Sequence, residues 1–293
     1  MLPSSITPDF LRRIEALSLR ARRAFLGTRQ GGHVSLKRGH GIEFSDYRKY
    51  ELGDDPRHID WGVFARSERL YVKQFREEQD LSASIFIDSS ASMRYPEDEG
   101  KWELASAVAL SLSYLLSLQQ DRVMLSVPGV RTTPYLYGAK TIHRFAALLD
   151  EISFPSDIDF LRAGEREVSR IGFPGIAVVL SDLLMPFNEV ERFFNVLRAK
   201  NLDITVIQVL GKNDENPFAE RGAFRARDSE TGQEIELALT PEQRKAYREA
   251  FASHMKLLGS YFEGARIPLT VARPSEGLEE FVFSKLTETG LLR

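Results

Sequence analysis

Residues 85–93 read IFIDSSASM and place three oxygen-bearing side chains directly after a short apolar run. The run is typical of a strand that is buried on both faces of a sheet. Asp88 ends this run, and Ser90 and Ser92 follow at alternate positions. Such a group of side chains suits a helix cap, a phosphate cradle, a nucleophile or a metal site, and the surrounding sequence must decide between them.

Strand-like and helix-like segments alternate along the rest of the chain. Apolar runs of strand length lie at 83–88, 122–127, 133–137, 175–182, 203–210 and 268–272. Helical spacing is found at 101–120, 142–152, 160–171 and 188–201, and again from Pro241 and from Gly277. This alternation predicts an α/β fold with a mainly parallel sheet and helices on both faces. The stretch 222–239 predicts a β-hairpin insertion, near 218–240.

Two of the buried strands end in an aspartate, Asp88 and Asp182. Ligands of open α/β sheets bind at the carboxyl ends of the strands, so both carboxylates are candidates for the functional site. Mg²⁺ prefers oxygen ligands and is usually held by one or two carboxylates and several waters. Ser90 and Ser92 would add ligands without negative charge. We therefore predict an Mg²⁺ or Mn²⁺ site, with capping of a short turn at 90–93 as the alternative role of Asp88.

The stretch DSSAS resembles the Asp-x-Ser-x-Ser motif of the von Willebrand factor A fold, and Asp182 resembles the second aspartate of that family. The resemblance implies a von Willebrand factor A-like (Rossmann-type) sheet carrying a metal-ion-dependent adhesion site. That site usually takes a third ligand, a threonine, where this chain has Ile158. The side chains that could replace it are Ser156, Asp157 and Asp159.

Residues 37–66 resemble the signature of a bacterial family called domain of unknown function 58. The matching residues are Arg38, Gly39, Gly41, Glu43, Phe44, Arg48, Tyr50, Gly53, Asp54, Asp55, Arg57, Ile59, Asp60, Trp61 and Arg66. The resemblance implies an N-terminal segment (1–79) before an A-type domain (80–293). It also implies an adaptor or co-chaperone that works with a MoxR-type AAA+ ATPase, or with that ATPase's client, and that has no catalytic activity of its own.

The Arg/Asp-rich signature admits three interpretations. It could contact a partner, it could form a second ligand site, or it could be an ion network that fixes an irregular segment. We favour the network, with Arg57 paired to Asp54 or Asp60. Trp61 and Tyr50 then serve as packing residues.

Composition excludes several classes of protein. The 293 residues contain no cysteine, which excludes disulfides and thiolate metal sites. The formal net charge is −3, so the overall charge does not favour binding to nucleic acid or to a membrane. No signal peptide or membrane span is recognisable, so we expect a cytoplasmic protein. Two alternative functions remain open. One is a metal-dependent hydrolase that uses the same aspartates and turns over phosphoesters. The other is nucleic-acid binding through a basic helix that starts near Pro8 and reaches Phe25.

Overall fold

The computed structural model describes residues 2–19, 33–34, 43–52, 54–76, 78–79, 82–94, 96–152, 154, 159–172, 175–216, 224–227, 234–237 and 240–293. The chain divides into two compact units. The smaller unit is Arg22–Leu81, and the larger unit combines Met1–Ala21 with Ser82–Arg293. The division after Leu81 lies close to the predicted boundary at 79/80, whereas the first 21 residues belong to the larger unit.

Helices and strands alternate along much of the described chain. The helices are α1 Pro8–Ile14, α2 Trp61–Ser67, α3 Ala91–Arg94, α4 Lys101–Leu118, α5 Thr141–Asp150, α6 Phe160–Ser169, α7 Phe187–Ala199, α8 Lys212–Glu215, α9 Pro241–Ala265, α10 Leu278–Glu280 and α11 Leu286–Glu288. The strands are β1 His33–Val34, β2 Glu43–Lys49, β3 Tyr71–Arg76, β4 Glu78–Gln79, β5 Ser82–Ile87, β6 Arg122–Val127, β7 Arg131–Thr132, β8 Ile176–Ser181, β9 Asp203–Val209, β10 Phe224–Arg227, β11 Glu234–Leu237 and β12 Leu269–Ala272.

Six strands form the main sheet in the order β12-β9-β8-β5-β6-β7. All neighbours in it are parallel except the edge strand β7, which is antiparallel to β6. The predicted α/β fold with a mainly parallel sheet is therefore confirmed. The chain passes from β5 outward to β6 and from β8 outward to β9, in opposite directions across the sheet. Doubly wound sheets bind ligands in the crevice at such a divergence, which here lies at the carboxyl ends of β5 and β8.

Helices cover both faces of the sheet. On one face, α4 packs against β5 and β6 with α5 beside it. Its side chains are buried on nearly all sides, as its sequence predicts. On the other face, α6, α7 and α9 close a core around Phe193, whose ring lies 5.9 Å from that of Phe160 and 5.3 Å from that of Phe194. Gly164 allows α6 to approach closely, because a Cβ there would lie 2.7 Å from Phe193 Cε2.

The N-terminal helix is shorter than predicted. α1 ends at Ile14, although Phe10 and Ile14 are fully buried in line with the predicted apolar stripe. Ser18 and Arg293 exchange backbone hydrogen bonds of 2.7 and 3.0 Å, and Leu19 forms an antiparallel bridge with Leu292. These extended pairings are incompatible with a helix through residue 19. A continuous basic helix from Pro8 to Phe25 is therefore wrong, and residues 20–32 lie outside the described part.

The predicted strand at 133–137 is also wrong. β7 is confined to Arg131–Thr132, and Leu136 makes only an isolated bridge with Val123. Pro134 lies between them and has no N–H for a sheet ladder. The predicted hairpin is confirmed by the antiparallel pairing of β10 and β11, and the predicted long helix by α9. The turn between β10 and β11 lies outside the described residues.

The described residues of the smaller unit form two antiparallel pairs and one short helix. β2 pairs with β3, with a bulge at Phe44/Asp46, and β1 pairs with β4. A single turn at Pro56–His58 and the helix α2 connect β2 to β3. Within the described residues of either unit, no helix combines the length and the apolar character needed to cross a bilayer.

Candidate metal centre

Asp88 directly follows β5, and its side chain is fully buried. Its N–H donates to Leu180 O on the neighbouring strand over 2.9 Å. Its Oδ2 accepts a hydrogen bond of 2.6 Å from Ser181 Oγ, and its Oδ1 accepts one of 2.8 Å from Ser90 N–H. The carboxylate is thus fixed in the crevice between β5 and β8. It also makes the contact to the 90–93 turn that the capping alternative predicts.

Three serines follow Asp88 closely in the sequence: Ser89, Ser90 and Ser92. The hydroxyl oxygens of Ser90 and Ser92 lie 3.0 Å apart. The side chain of Ser89 is 1% exposed, and its Oγ has no hydrogen-bond partner among the residues that the structure describes. Asp88 and Ser90 are buried and Ser92 is half-buried, and together they bring a carboxylate and two hydroxyl oxygens into one turn. This is the chemistry that hard divalent cations prefer.

Asp182 directly follows β8 and is also buried, with 1% of its side chain exposed. Its Oδ1 accepts a hydrogen bond of 3.2 Å from Leu184 N–H, and its main-chain oxygen accepts one of 2.9 Å from Gln208 Nε2. Because β5 and β8 are adjacent, Asp182 and Asp88 end neighbouring strands at the same sheet edge.

The backbone after Asp182 is strained at Leu183. This residue has φ of 56°, a left-handed conformation that is costly for a side chain with a Cβ. Ser181 Oγ accepts a hydrogen bond of 3.0 Å from Leu183 N–H, and Leu183 O lies 2.7 Å from His254 Nε2. Such strain persists where the surroundings enforce it, and it is concentrated at functional sites.

Lys101 is a member of this site that the sequence analysis missed. Its side chain is 1% exposed, and its Nζ lies 3.3 Å from Asp182 Oδ2 and 2.9 and 2.8 Å from the two oxygens of Asp214. Burial lowers the pKa of Lys101, but the charges and hydrogen bonds of the two aspartates outweigh burial, and the net shift is upward. The sequence feature that could have pointed to Lys101 is its position at the start of a helix predicted to be buried on nearly all sides. No sequence feature pointed to its partner Asp214, which follows β9.

The charges of the site are unbalanced. Asp88, Asp182 and Asp214 supply three carboxylates, and within the described chain Lys101 is the cation that contacts this group. Burial, together with the negative charge of Asp182, raises the pKa of Asp88 to about 7.

A group of three or more His, Cys, Asp or Glu side chains placed to hold a metal is not found among the described residues. Two carboxylates with two serine hydroxyls nevertheless fit Mg²⁺ or Mn²⁺ by donor type and by charge.

The raised pKa of Asp88 predicts a pH effect on stability. Folded protein keeps a proton on Asp88 that the unfolded chain releases near its ordinary pKa of about 4. The contribution of Asp88 to stability is therefore complete below about pH 4 and is lost as pH rises through about 7. In EDTA, we expect the unfolding free energy of wild type, relative to that of Asp88→Asn, to fall by about 2–4 kcal/mol from about pH 4.5 to about pH 7.5. Parallel pH profiles of the two proteins would contradict this assignment.

The side chains proposed to replace the missing threonine have separate outcomes. Ser156, Asp157 and Ile158 lie outside the described residues. Asp159 caps α6, where its Oδ1 accepts a hydrogen bond of 2.9 Å from Arg162 N–H. Its Oδ2 lies 3.0 Å from Arg162 Nε. The structure therefore gives Asp159 a local structural role.

The described part of the signature segment contains an ion network, with different partners from those predicted. Arg48 pairs with Asp54 at 2.7 Å. Arg57 pairs with Asp55, not with Asp54 or Asp60, and its Nη2 lies 2.6 Å from Asp55 Oδ2. The reason is local. Asp55 caps the Pro56–His58 turn by accepting a hydrogen bond from Arg57 N–H, which places the Arg57 side chain two residues from it. The hydrogen bonds from Arg57 hold the pKa of Asp55 well below its usual range.

Asp60 shapes the helix that follows this network. Its Oδ1 accepts hydrogen bonds from the N–H groups of Gly62 and Val63, and its Oδ2 accepts one of 3.0 Å from Tyr47 OH. Trp61, for which we expect a packing role, contacts Phe64 edge-to-face and is 61% exposed.

Other signature residues are described only in part. Arg66 Nε donates to Gly62 O over 3.1 Å. Glu43 and Phe44 are described only as backbone of β2, and Arg38, Gly39, Gly41 and Gly53 lie outside the described residues.

The larger unit carries a mainly parallel sheet with an aspartate at the end of two central strands, and the described part of the smaller unit is rich in Arg and Asp. Residues 46–257 match the family described as protein of unknown function DUF58, and the chain belongs to that family. Uncharacterized proteins of Mycobacterium tuberculosis and Mycobacterium bovis are 28% identical over 283 residues. Each alignment covers 91% of this chain and 85% of the relative.

Solved structures show weaker likeness. The conserved hypothetical protein BatB from Bacteroides thetaiotaomicron is similar with a TM-score of 0.43 and 14% identity, over 72% of this chain and 98% of that one. An aerotolerance-related membrane protein from Bacteroides fragilis has a TM-score of 0.38 and 14% identity, over 62% of this chain and 99% of that one. The pilus adhesin SpaC from Lactobacillus rhamnosus GG has a TM-score of 0.40 and 10% identity, over 73% of this chain and 30% of that one. None of these weak likenesses indicates what this chain does.

Proposed function

We propose that this chain is a metal-dependent protein-binding module of von Willebrand factor A type, acting as an adaptor or co-chaperone. The observation that carries the proposal is the turn of buried Asp88 and Ser90 with half-buried Ser92, at the crevice between β5 and β8 where Asp182 also ends its strand. The strand order and the strand-terminal position of both aspartates support the fold assignment. A MoxR-type AAA+ ATPase, or that ATPase's client, is proposed as the partner from the family resemblance of residues 37–66 alone.

The residues of the crevice have distinct roles in this proposal. Asp88 supplies a carboxylate that Ser181 and Ser90 hold in one orientation. Ser90 and Ser92 supply neutral oxygens, and Asp182 adds a second carboxylate, directly or through water. Mg²⁺ or Mn²⁺ held there would supply positive charge and an exchangeable coordination position. A Glu or Asp of the partner would complete the coordination, and partner binding would then depend on the metal.

Calorimetric titration of Mg²⁺ and of Mn²⁺ into EDTA-treated protein tests the site. We expect saturable binding that Asp88→Ala weakens by about 100-fold or more, since it removes the most buried carboxylate ligand. Asp159→Asn is the matched control, because it neutralises a carboxylate that caps α6. Absence of saturable binding to wild type, or equal losses in the two variants, would refute the site.

The partner is tested by capture of a purified MoxR-type ATPase on immobilised protein. We expect capture in Mg²⁺, and its loss both in EDTA and with Asp88→Ala. Equal capture in Mg²⁺ and EDTA would show that the crevice is not the contact. Turnover of a generic phosphoester that requires Asp88 would favour the hydrolase alternative.

A further inference from the structure

We infer that Lys101 sets the metal affinity of the crevice, because its ammonium competes with the metal for Asp182. This inference rests on the proposed metal site. It assigns Lys101 a positioning role, since Lys101 acts on the ligand Asp182 and is not itself a ligand.

The position of Lys101 is energetically unfavourable for a cation unless carboxylates pair with its ammonium. Lys101 is the first residue of α4, directly after Gly100, and its side chain is almost fully buried. The N-terminus of a helix carries partial positive charge, which disfavours a cation there. Burial of an ammonium group is also unfavourable unless carboxylates pair with it. An uncharged side chain would avoid both penalties, so the position depends on the two aspartates.

The two aspartates hold Lys101 unequally. Nζ contacts both oxygens of Asp214, at 2.9 and 2.8 Å, but reaches Asp182 Oδ2 only at 3.3 Å. Asp214 is itself anchored, because its Oδ2 accepts a hydrogen bond from Gly211 N–H and its main-chain oxygen accepts one from Tyr247 OH. Lys101 can therefore release Asp182 and remain paired with Asp214.

This geometry predicts effects of opposite sign. A divalent cation bound at Asp88 and Asp182 would face the positive charge of Lys101 across the Asp182 carboxylate, and like charges repel strongly in a buried site. Neutralising Lys101 removes the repulsion and frees Asp182. Neutralising Asp214 leaves Asp182 as the carboxylate partner of Lys101, so their contact tightens. A merely structural role for Lys101 would weaken metal binding in both cases.

Calorimetric titration of Mg²⁺ into metal-free wild type, Lys101→Met and Asp214→Asn tests the inference. We expect binding about tenfold tighter in Lys101→Met and at least about threefold weaker in Asp214→Asn. The Mg²⁺-induced rise in unfolding temperature should follow the same order. Lys101→Gln, which keeps hydrogen-bond donors but no charge, repeats the test if Lys101→Met does not fold. Asp88→Ala combined with Lys101→Gln should abolish the gain.

The outcomes distinguish the proposed metal site from the proposed role of Lys101. Unchanged or weaker binding in folded Lys101→Met or Lys101→Gln, with wild type binding, would overturn the role of Lys101 and leave the metal site intact. Binding by the Lys101 variants but not by wild type would support the role of Lys101, whose ammonium would then exclude the metal, and would refute metal binding as the function of the wild-type protein. Absence of binding in every protein would overturn both, because removing the ammonium would not have opened the crevice.

Discussion

Replacing Lys101 by methionine will lower the unfolding free energy of the metal-free protein by about 3–5 kcal/mol, the usual cost of breaking a buried ion pair from one side. The variant leaves the Asp182 and Asp214 carboxylates without the ammonium that contacts both. Urea unfolding in EDTA measures the loss. Adding Asp214→Asn to Lys101→Met should recover part of it, because one of the two stranded charges is then neutral.

Lys245→Met is the matched control for this loss. Lys245 lies on α9, is 72% exposed and pairs with Glu249 over 3.7 Å in the same helix. Exposed pairs of this kind contribute less than about 1 kcal/mol. Equal effects of the two lysine substitutions would contradict the assignment of Lys101 to a buried network that stabilises the fold.

Phe193→Ala will destabilise the larger unit by about 3–5 kcal/mol, through lost burial and the cavity that remains. Phe193 is fully buried and contacts the rings of Phe86, Phe160 and Phe194, so α6, α7 and the sheet share one aromatic contact. Urea unfolding followed by far-ultraviolet circular dichroism gives the change in free energy.

The control for Phe193 is Phe187→Ala on the same helix. Phe187 is only partly buried and contacts Tyr261 at the edge of the core. We expect less than half the loss seen at Phe193, since a partly exposed ring leaves a smaller cavity. A larger loss at Phe187 would mean that the core is centred elsewhere.

The sheet and the two strand-terminal aspartates could be predicted because they depend on local pattern. Apolar runs of strand length alternate with helical spacing, and parallel strands end at one edge of the sheet. Asp88 and Asp182 therefore had to share that edge once β5 and β8 were neighbours. The hairpin β10–β11 and the helix α9 were likewise readable from turn residues and from Pro241.

Features that depend on distant partners could not be predicted in this way. Lys101 is held by Asp182 and Asp214, which follow it by 81 and 113 residues. The early end of α1 depends on residues 292 and 293. The pairing of Arg57 with Asp55 is local, but nearby carboxylates at 54, 55 and 60 offered equal chemistry. Only the Pro56–His58 turn selects among them.

The bridge between Leu19 and Leu292 has a consequence for how the protein is made. Ser18 leaves the ribosome 275 residues before its partner Arg293, and Leu19 likewise precedes Leu292. During synthesis, residues 22–81 can complete their own pairings while the buried face of α1 still waits for its neighbours. Phe10 therefore stays partly exposed in the nascent chain until its ring partner Phe283 has been made, an interval in which a holding chaperone could engage it.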